Sequence, residues 1–172
     1  FRGVWWSLAN EYDFMKAKTD DDWEGIAAVI HREDHAVHLT SIHNGFRFYD
    51  HSRPWITHCS LQRGDTDRTT EWRDRYGKPV LIDECGYEGD LEWGWGNLSA
   101  QELVRRCWEG AVRGGYVTHG ETYHDASELL WWAKGGVLRG QSFPRIAFLA
   151  GLIADAPSDR WEPLPSDFDA PW

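Results

Sequence analysis

Val80-Leu81-Ile82-Asp83-Glu84-Cys85-Gly86-Tyr87-Glu88-Gly89 is the stretch on which the fold reading turns. Residues 80–83 read as a short buried strand entered through Pro79, and Glu84 stands where that strand ends. A strand-end carboxylate followed by glycine is how a barrel enzyme aims a nucleophile into an open mouth. A second stretch has the same form. Phe1 to Ala9 is an apolar run that ends in Asn10-Glu11-Tyr12-Asp13. Two strand-end glutamates, each leading into an aromatic and acidic loop, supply the acid and the partner carboxylate that hydrolysis of a glycosidic bond requires.

The Ala9-Asn10-Glu11 strand end and the Ile82-Asp83-Glu84-Cys85-Gly86 strand end resemble the retaining glycoside hydrolases of the clan A, cellulase-like superfamily. In that clan an Asn-Glu pair closes the fourth strand of an eightfold barrel and a second glutamate closes the seventh. The continuation Tyr87-Glu88-Gly89 looks more narrowly like the apiosidase-like bacterial branch. The resemblance implies that Glu11 is the acid/base, that Glu84 is the nucleophile, and that Asn10 donates to the sugar hydroxyl beside the reacting carbon. It also implies a tryptophan after the eighth strand, for which Trp131 and Trp132 stand nearest.

The chain has 172 residues, and a complete eightfold barrel takes about 200 to 250. The expected fold class is therefore α/β, a (β/α)8 TIM barrel of which only about strands 4 to 8 and their helices are present. Residues 1–156 are expected to be the C-terminal half of the barrel, and 157–172 a tail or linker toward a further region. The N-terminal half is expected to be missing from this chain or supplied by another. A net charge of −10 argues against a nucleic-acid partner held on a basic face. No run approaches the roughly 18 apolar residues of a membrane helix, so no membrane partner is expected. Cys59, Cys85 and Cys107 are odd in number, with no close-pair metal spacing. Twelve tryptophans divide between core packing and flat platforms suited to sugars.

Along the chain, Thr19 or Asp20 caps a helix reaching about Arg32, with Trp23, Ile26, Ala27 and Ile30 on one face. His35 to Ile42 reads as the next strand, followed by an aromatic loop in place of a helix. Ile56 to Leu61 is a strand, and Arg68 to Tyr76 a short helix capped at Thr66 or Asp67. Ser99-x-x-Glu102 is a capping box for a helix to about Arg113. Tyr116 to Glu121 reads as the last strand. Ser142 to Ala154 reads as an amphipathic helix with Ile146, Leu149 and Ile153 inward.

Several further residues are candidates for contact with substrate. His43 and Asn44 end the strand after Glu11 and would face the same mouth. Tyr87, Glu88 and Trp95 follow the nucleophile, and Trp6 precedes the Asn-Glu pair. His119 and Glu121 close the last strand, where His119-x-Glu121-x-x-His124 admits a metal-ligand reading; hydrogen bonding to sugar is preferred, so no metal and no cofactor is expected. The function expected is retaining cleavage of O-glycosidic bonds in poly- or oligosaccharides, in a secreted or periplasmic protein. A carbohydrate-binding barrel without catalysis is one alternative, and a metal-dependent hydrolase another.

Overall fold

The computed structural model describes residues 3–124, 137–157 and 161–168. Among them the elements run β1 (Trp5–Ser7), α1 (Asp20–Glu33), β2 (Leu39–Ser41), β3 (Cys59–Gln62), α2 (Thr69–Tyr76), β4 (Val80–Glu84), β5 (Glu88–Gly89), α3 (Ala100–Val112), β6 (Gly115–Val117), β7 (Glu121–Thr122) and α4 (Phe143–Asp155). Short 3-10 turns cover Tyr12–Phe14 and Thr66–Arg68.

All the ladders are parallel. A parallel pair cannot be joined by a tight hairpin and needs a crossover, usually helical; α2 crosses from β3 to β4, and α3 lies between β4 and β6. β4 is the central strand, with Cys59 to Leu61 against Val80 to Ile82 on one side and Gly115 to Val117 on the other. Alternation sends Val80 and Ile82 to one face, where they are fully buried with Trp72 of α2 and Leu103 and Cys107 of α3. Full burial of such a side chain stabilises by roughly 1.5–3 kcal/mol. A second core holds Tyr12, Trp23 of α1, Ile42, Tyr49 and Ile56.

The barrel expectation is overturned. The strands form three small sheets, ordered β1-β2, β3-β4-β6 and β5-β7, and the described residues form no closed barrel. A single bridge between His43 and Ser60 links the first sheet to the second, and another joins Glu88 to Leu98. The physical reason is strand length. Ladders of two to four paired residues, with the register slipping between Leu61 and Gln62, carry too few bonds to join these strands into one continuous sheet.

Local chemistry also moves several element boundaries. His35 to Ile42 is not one strand, because the Asp34 carboxylate accepts the Ala36 and His38 N–H groups and contacts the His38 ring at 2.8 Å. Val37 takes a left-handed φ of 53° in that turn, so pairing begins only at Leu39. Thr19 is the cap of α1, with Asp22 completing a reciprocal capping box. At α3 only half of the box forms: Ser99 accepts the Glu102 N–H, while the Glu102 carboxylate turns to Arg105 and Arg106. The last expected strand divides into β6 and β7, and Ile153 of α4 is exposed while Leu149 is buried. Residues 161–168, expected within a linker, return along α2 and α3: Leu164 bonds Val112 and Thr70, and the buried Arg113 donates to Pro165 and Phe168.

His51 is fully buried against Phe48 and Tyr76, with neither ring nitrogen partnered. Burial, reinforced by the charges of Lys78 and His58, lowers its pKa from 6.5 to about 4. The unfolded chain therefore takes up this proton first as pH falls, so the stability is complete above 6.5 and is lost between 6.5 and 4, by about 3 kcal/mol. Urea unfolding across that range should show the decline, and His51→Phe should flatten it; an unchanged slope in the variant would exclude His51 as its source.

Candidate active site

The site lies where β3 and β4 end, in a cavity of about 820 Å3. Its walls include Glu11, Gln62, Glu84, Tyr87, Trp95, His119 and Glu121, so both sequence-predicted glutamates open into one space. Phe14 and Phe46, in edge-to-face contact at 5.3 Å, form the wall on the Glu11 side, and Leu138 adds an apolar edge.

Glu11 sits in an unusual backbone state. Its φ of 49° and ψ of 52° are left-handed, a conformation that costs a residue with a Cβ about 1–2 kcal/mol. The neighbours impose it. Tyr12 is buried in edge-to-face contact with Trp23 and Tyr49, its N–H bonds His43 O at 2.9 Å, and Ala9 O accepts the His43 N–H. With both flanks fixed, Glu11 turns its carboxyl into the cavity, where Gln62 Nε2 donates to Oε1 at 3.1 Å. Asp13 accepts the N–H groups of Gly45, Phe46 and Arg47, and these bonds hold its carboxyl below the usual range despite burial. The same bonds draw the 45–47 loop to Phe14.

Glu84 ends β4, and Gly86 turns the chain immediately after it with a φ of 91° that glycine adopts without penalty. The turn brings Tyr87 back, and its hydroxyl donates to Glu84 Oε2. Burial pushes the Tyr87 phenol well above its ordinary value, and the bond to Glu84 and the charges of Glu84 and Glu11 act in the same direction. Tyr87 therefore stays a donor at any working pH. His43 is buried with its Nε2 3.8 Å from Glu84 Oε1, too far for a hydrogen bond.

The structure gathers Glu11, Glu84, Tyr87, Trp95, His119 and Glu121 in the cavity and puts His43 behind Glu84. Others of the expected set lie elsewhere. Asn44 is fully buried and exchanges hydrogen bonds with the Gln62 backbone, tying the end of the first sheet to β3. Trp6 donates to Asp34 at the end of α1, away from the cavity. Asn10 is exposed and outside the cavity lining. Glu88 turns inward, accepting the N–H groups of Gln141 and Ser142 ahead of α4 and the Tyr123 hydroxyl. Trp131 and Trp132 lie outside the described residues.

Gln62, Phe14, Phe46 and Leu138 were missed. Gln62 had a visible signal, since it is the polar residue ending β3 by the same rule that singled out Glu84. The two phenylalanines had none, because their meeting depends on the Asp13 hydrogen bonds across about thirty residues of chain.

No protein-family model matches the chain, and no curated protein matches it. It is similar to a crystal structure of a putative glycoside hydrolase from Bacteroides vulgatus ATCC 8482, with a TM-score of 0.86 and 42% sequence identity. The match covers 91% of this chain and 32% of that one, so the chain spans about a third of that protein's length.

The strain at Glu11 separates folding from chemistry. Glu11→Gly should leave stability to urea equal or raise it by about 1 kcal/mol, because glycine takes the left-handed state freely. A loss of more than about 1 kcal/mol, the usual net worth of one hydrogen bond, would show the carboxyl to be structural.

Proposed function

We propose that this chain carries the catalytic carboxylates of a glycoside hydrolase, cleaving O-glycosidic bonds in poly- or oligosaccharides by a retaining double displacement. The observation that carries the reading is the opening of Glu11 and Glu84 into one aromatic-walled cavity, each carboxyl held by a neutral donor, Gln62 and Tyr87. Similarity to the Bacteroides structure supports glycosidic chemistry in general. The retaining course rests on the resemblance of the Asn10-Glu11 and Asp83-Glu84 strand ends to the clan A enzymes.

A retaining reaction needs its two carboxyls about 5–5.5 Å apart, and an inverting one needs about 6.5–9.5 Å to admit water between them. In the first step Glu84 attacks the anomeric carbon through Oε1, the oxygen that Tyr87 leaves free. The bond to the departing sugar oxygen breaks as Glu11 delivers its proton to that oxygen. In the second step Glu11 removes a proton from water, the water oxygen bonds to the anomeric carbon, and the ester to Glu84 breaks. Both glutamates end in their starting states. Trp95, lying edge-on to Tyr87 and stacked on Trp93 at 5.9 Å, offers a flat face for a sugar ring at the cavity edge.

A panel of aryl glycosides, followed by NMR of the anomer first formed, tests this directly. Retention of configuration is expected, and inversion would overturn the double displacement. Glu84→Ala and Glu11→Ala should each lower kcat/KM by about 10²–10⁴-fold, while Glu84→Ala keeps its affinity for oligosaccharide. Unchanged turnover in either variant would remove that residue from the mechanism. Tyr87→Phe should lower kcat about ten- to a hundredfold, the loss of one hydrogen bond to a charged group.

A further inference from the structure

We propose that Glu88, His119 and Glu121 form a binding site for a divalent transition cation, Zn2+ by preference, beside the catalytic cavity. The inference does not depend on glycosidase activity. One donor atom from each side chain lies within 4.8 Å of the others, compatible with ligands around one ion. The three residues come from different segments: Glu88 from β5, Glu121 from β7, and His119 from the link between β6 and β7.

Two independent features point to a missing partner. Glu121 is 2% exposed, and its Oε1 has no hydrogen-bond donor. His119 Nε2 is likewise buried without a partner, and the two atoms are 3.6 Å apart. That separation is too long for a hydrogen bond. It is close to the about 3.4 Å expected between two tetrahedral ligands of zinc, from bond lengths near 2.1 Å. The second feature is charge. Glu88 and Glu121 are both buried, and among the described residues no lysine or arginine side chain is paired with either carboxylate. Arg139 contributes only its backbone N–H here, while its guanidinium reaches His124 O. Like charges held close together out of water are costly unless an ion or a proton offsets them.

The surroundings are those of ligands already oriented. Glu121 Oε2 accepts the Arg139 N–H at 2.7 Å, and Glu88 accepts two backbone N–H groups and the Tyr123 hydroxyl. Such outer hydrogen bonds fix carboxylates in metal sites. Gly140 packs directly over the pair: a Cβ there would come within 2.3 Å of Glu88 Oε2 and 2.8 Å of Glu121 Oε1. An imidazole with two carboxylates suits zinc better than calcium or magnesium, which prefer all-oxygen sites. His119 and Glu121 also line the cavity, so an ion held by them would sit at its wall. The ion would cross-link β5, β7 and the link between β6 and β7. His124, grouped with these residues by sequence spacing, bonds Asp90 through its backbone and stands outside the set.

The untagged chain, stripped with a chelator and dialysed, is titrated with Zn2+, Mn2+ and Ca2+ by calorimetry, with Tm followed in parallel. One equivalent of Zn2+ should bind and raise Tm, with Ca2+ far weaker. Glu121→Gln, which keeps an oxygen for the Arg139 N–H, and His119→Ala should each weaken Zn2+ binding by at least about tenfold, while His124→Ala leaves it unchanged. No Zn2+ binding to the wild type, tighter binding of Ca2+ than of Zn2+, or equal binding by both variants would overturn the proposal. Anomalous diffraction at the zinc edge decides independently of the variants, since a peak among the three side chains supports the site and a peak only elsewhere removes it.

Discussion

Parallel pairing on both sides of β4 is the constraint from which the site follows. A central parallel strand must bury its helix-facing residues, and Val80 and Ile82 do so completely against α2 and α3. Parallel strands also all end at the same edge of their sheet, so their last residues converge there. Gln62 of β3 and Glu84 of β4 are register partners across the slip after Leu61, and Thr118, just past β6, bonds back to Asp83 and Ile82. The ladder thus sets the nucleophile candidate beside a neutral amide and joins it to the floor of the core.

Around that edge neutral donors orient the carboxyl groups. Gln62 serves Glu11, Tyr87 serves Glu84, and backbone N–H groups serve Asp13, Glu88 and one oxygen of Glu121. A neutral donor orients a carboxyl group without placing a counter-charge beside it. The arginines work elsewhere, pairing with Asp65 ahead of α2, with Glu71 and Glu102 on the helices, and with the buried Glu109. Glu109–Arg113 is the pair held out of water, and it also anchors the returning 161–168 segment.

The Glu11 backbone shows the same economy from another side. Tyr12 and Ala9 are fastened by packing and by the His43 backbone, so the two residues between them must close the gap, and Glu11 does so in a left-handed state. Strain of this kind persists only where the surroundings over-determine it, and it gathers at functional sites. Glu121 presents the complementary case, where one oxygen is satisfied and the other is left open beside His119.

The sequence by itself determined the local devices: strand-end Glu84 followed by a glycine turn, strand-end Glu11, the Thr19 cap, and the amphipathic faces of α1 and α3. These were legible because turn chemistry, capping and periodicity act over a few residues. The tertiary structure alone decided what those devices meet. It showed three small sheets where about half of an eightfold barrel had been expected, since a continuous sheet depends on how far short ladders propagate. It turned Trp6 toward Asp34 and spent Asn44 and Glu88 on backbone N–H and C=O groups, because a buried polar side chain bonds whatever packing brings near. It brought Phe14 to Phe46 through Asp13, and Glu88 to Glu121 across more than thirty residues. Contacts at such separations are set by the summed packing of the chain, and no short window of sequence carries that sum.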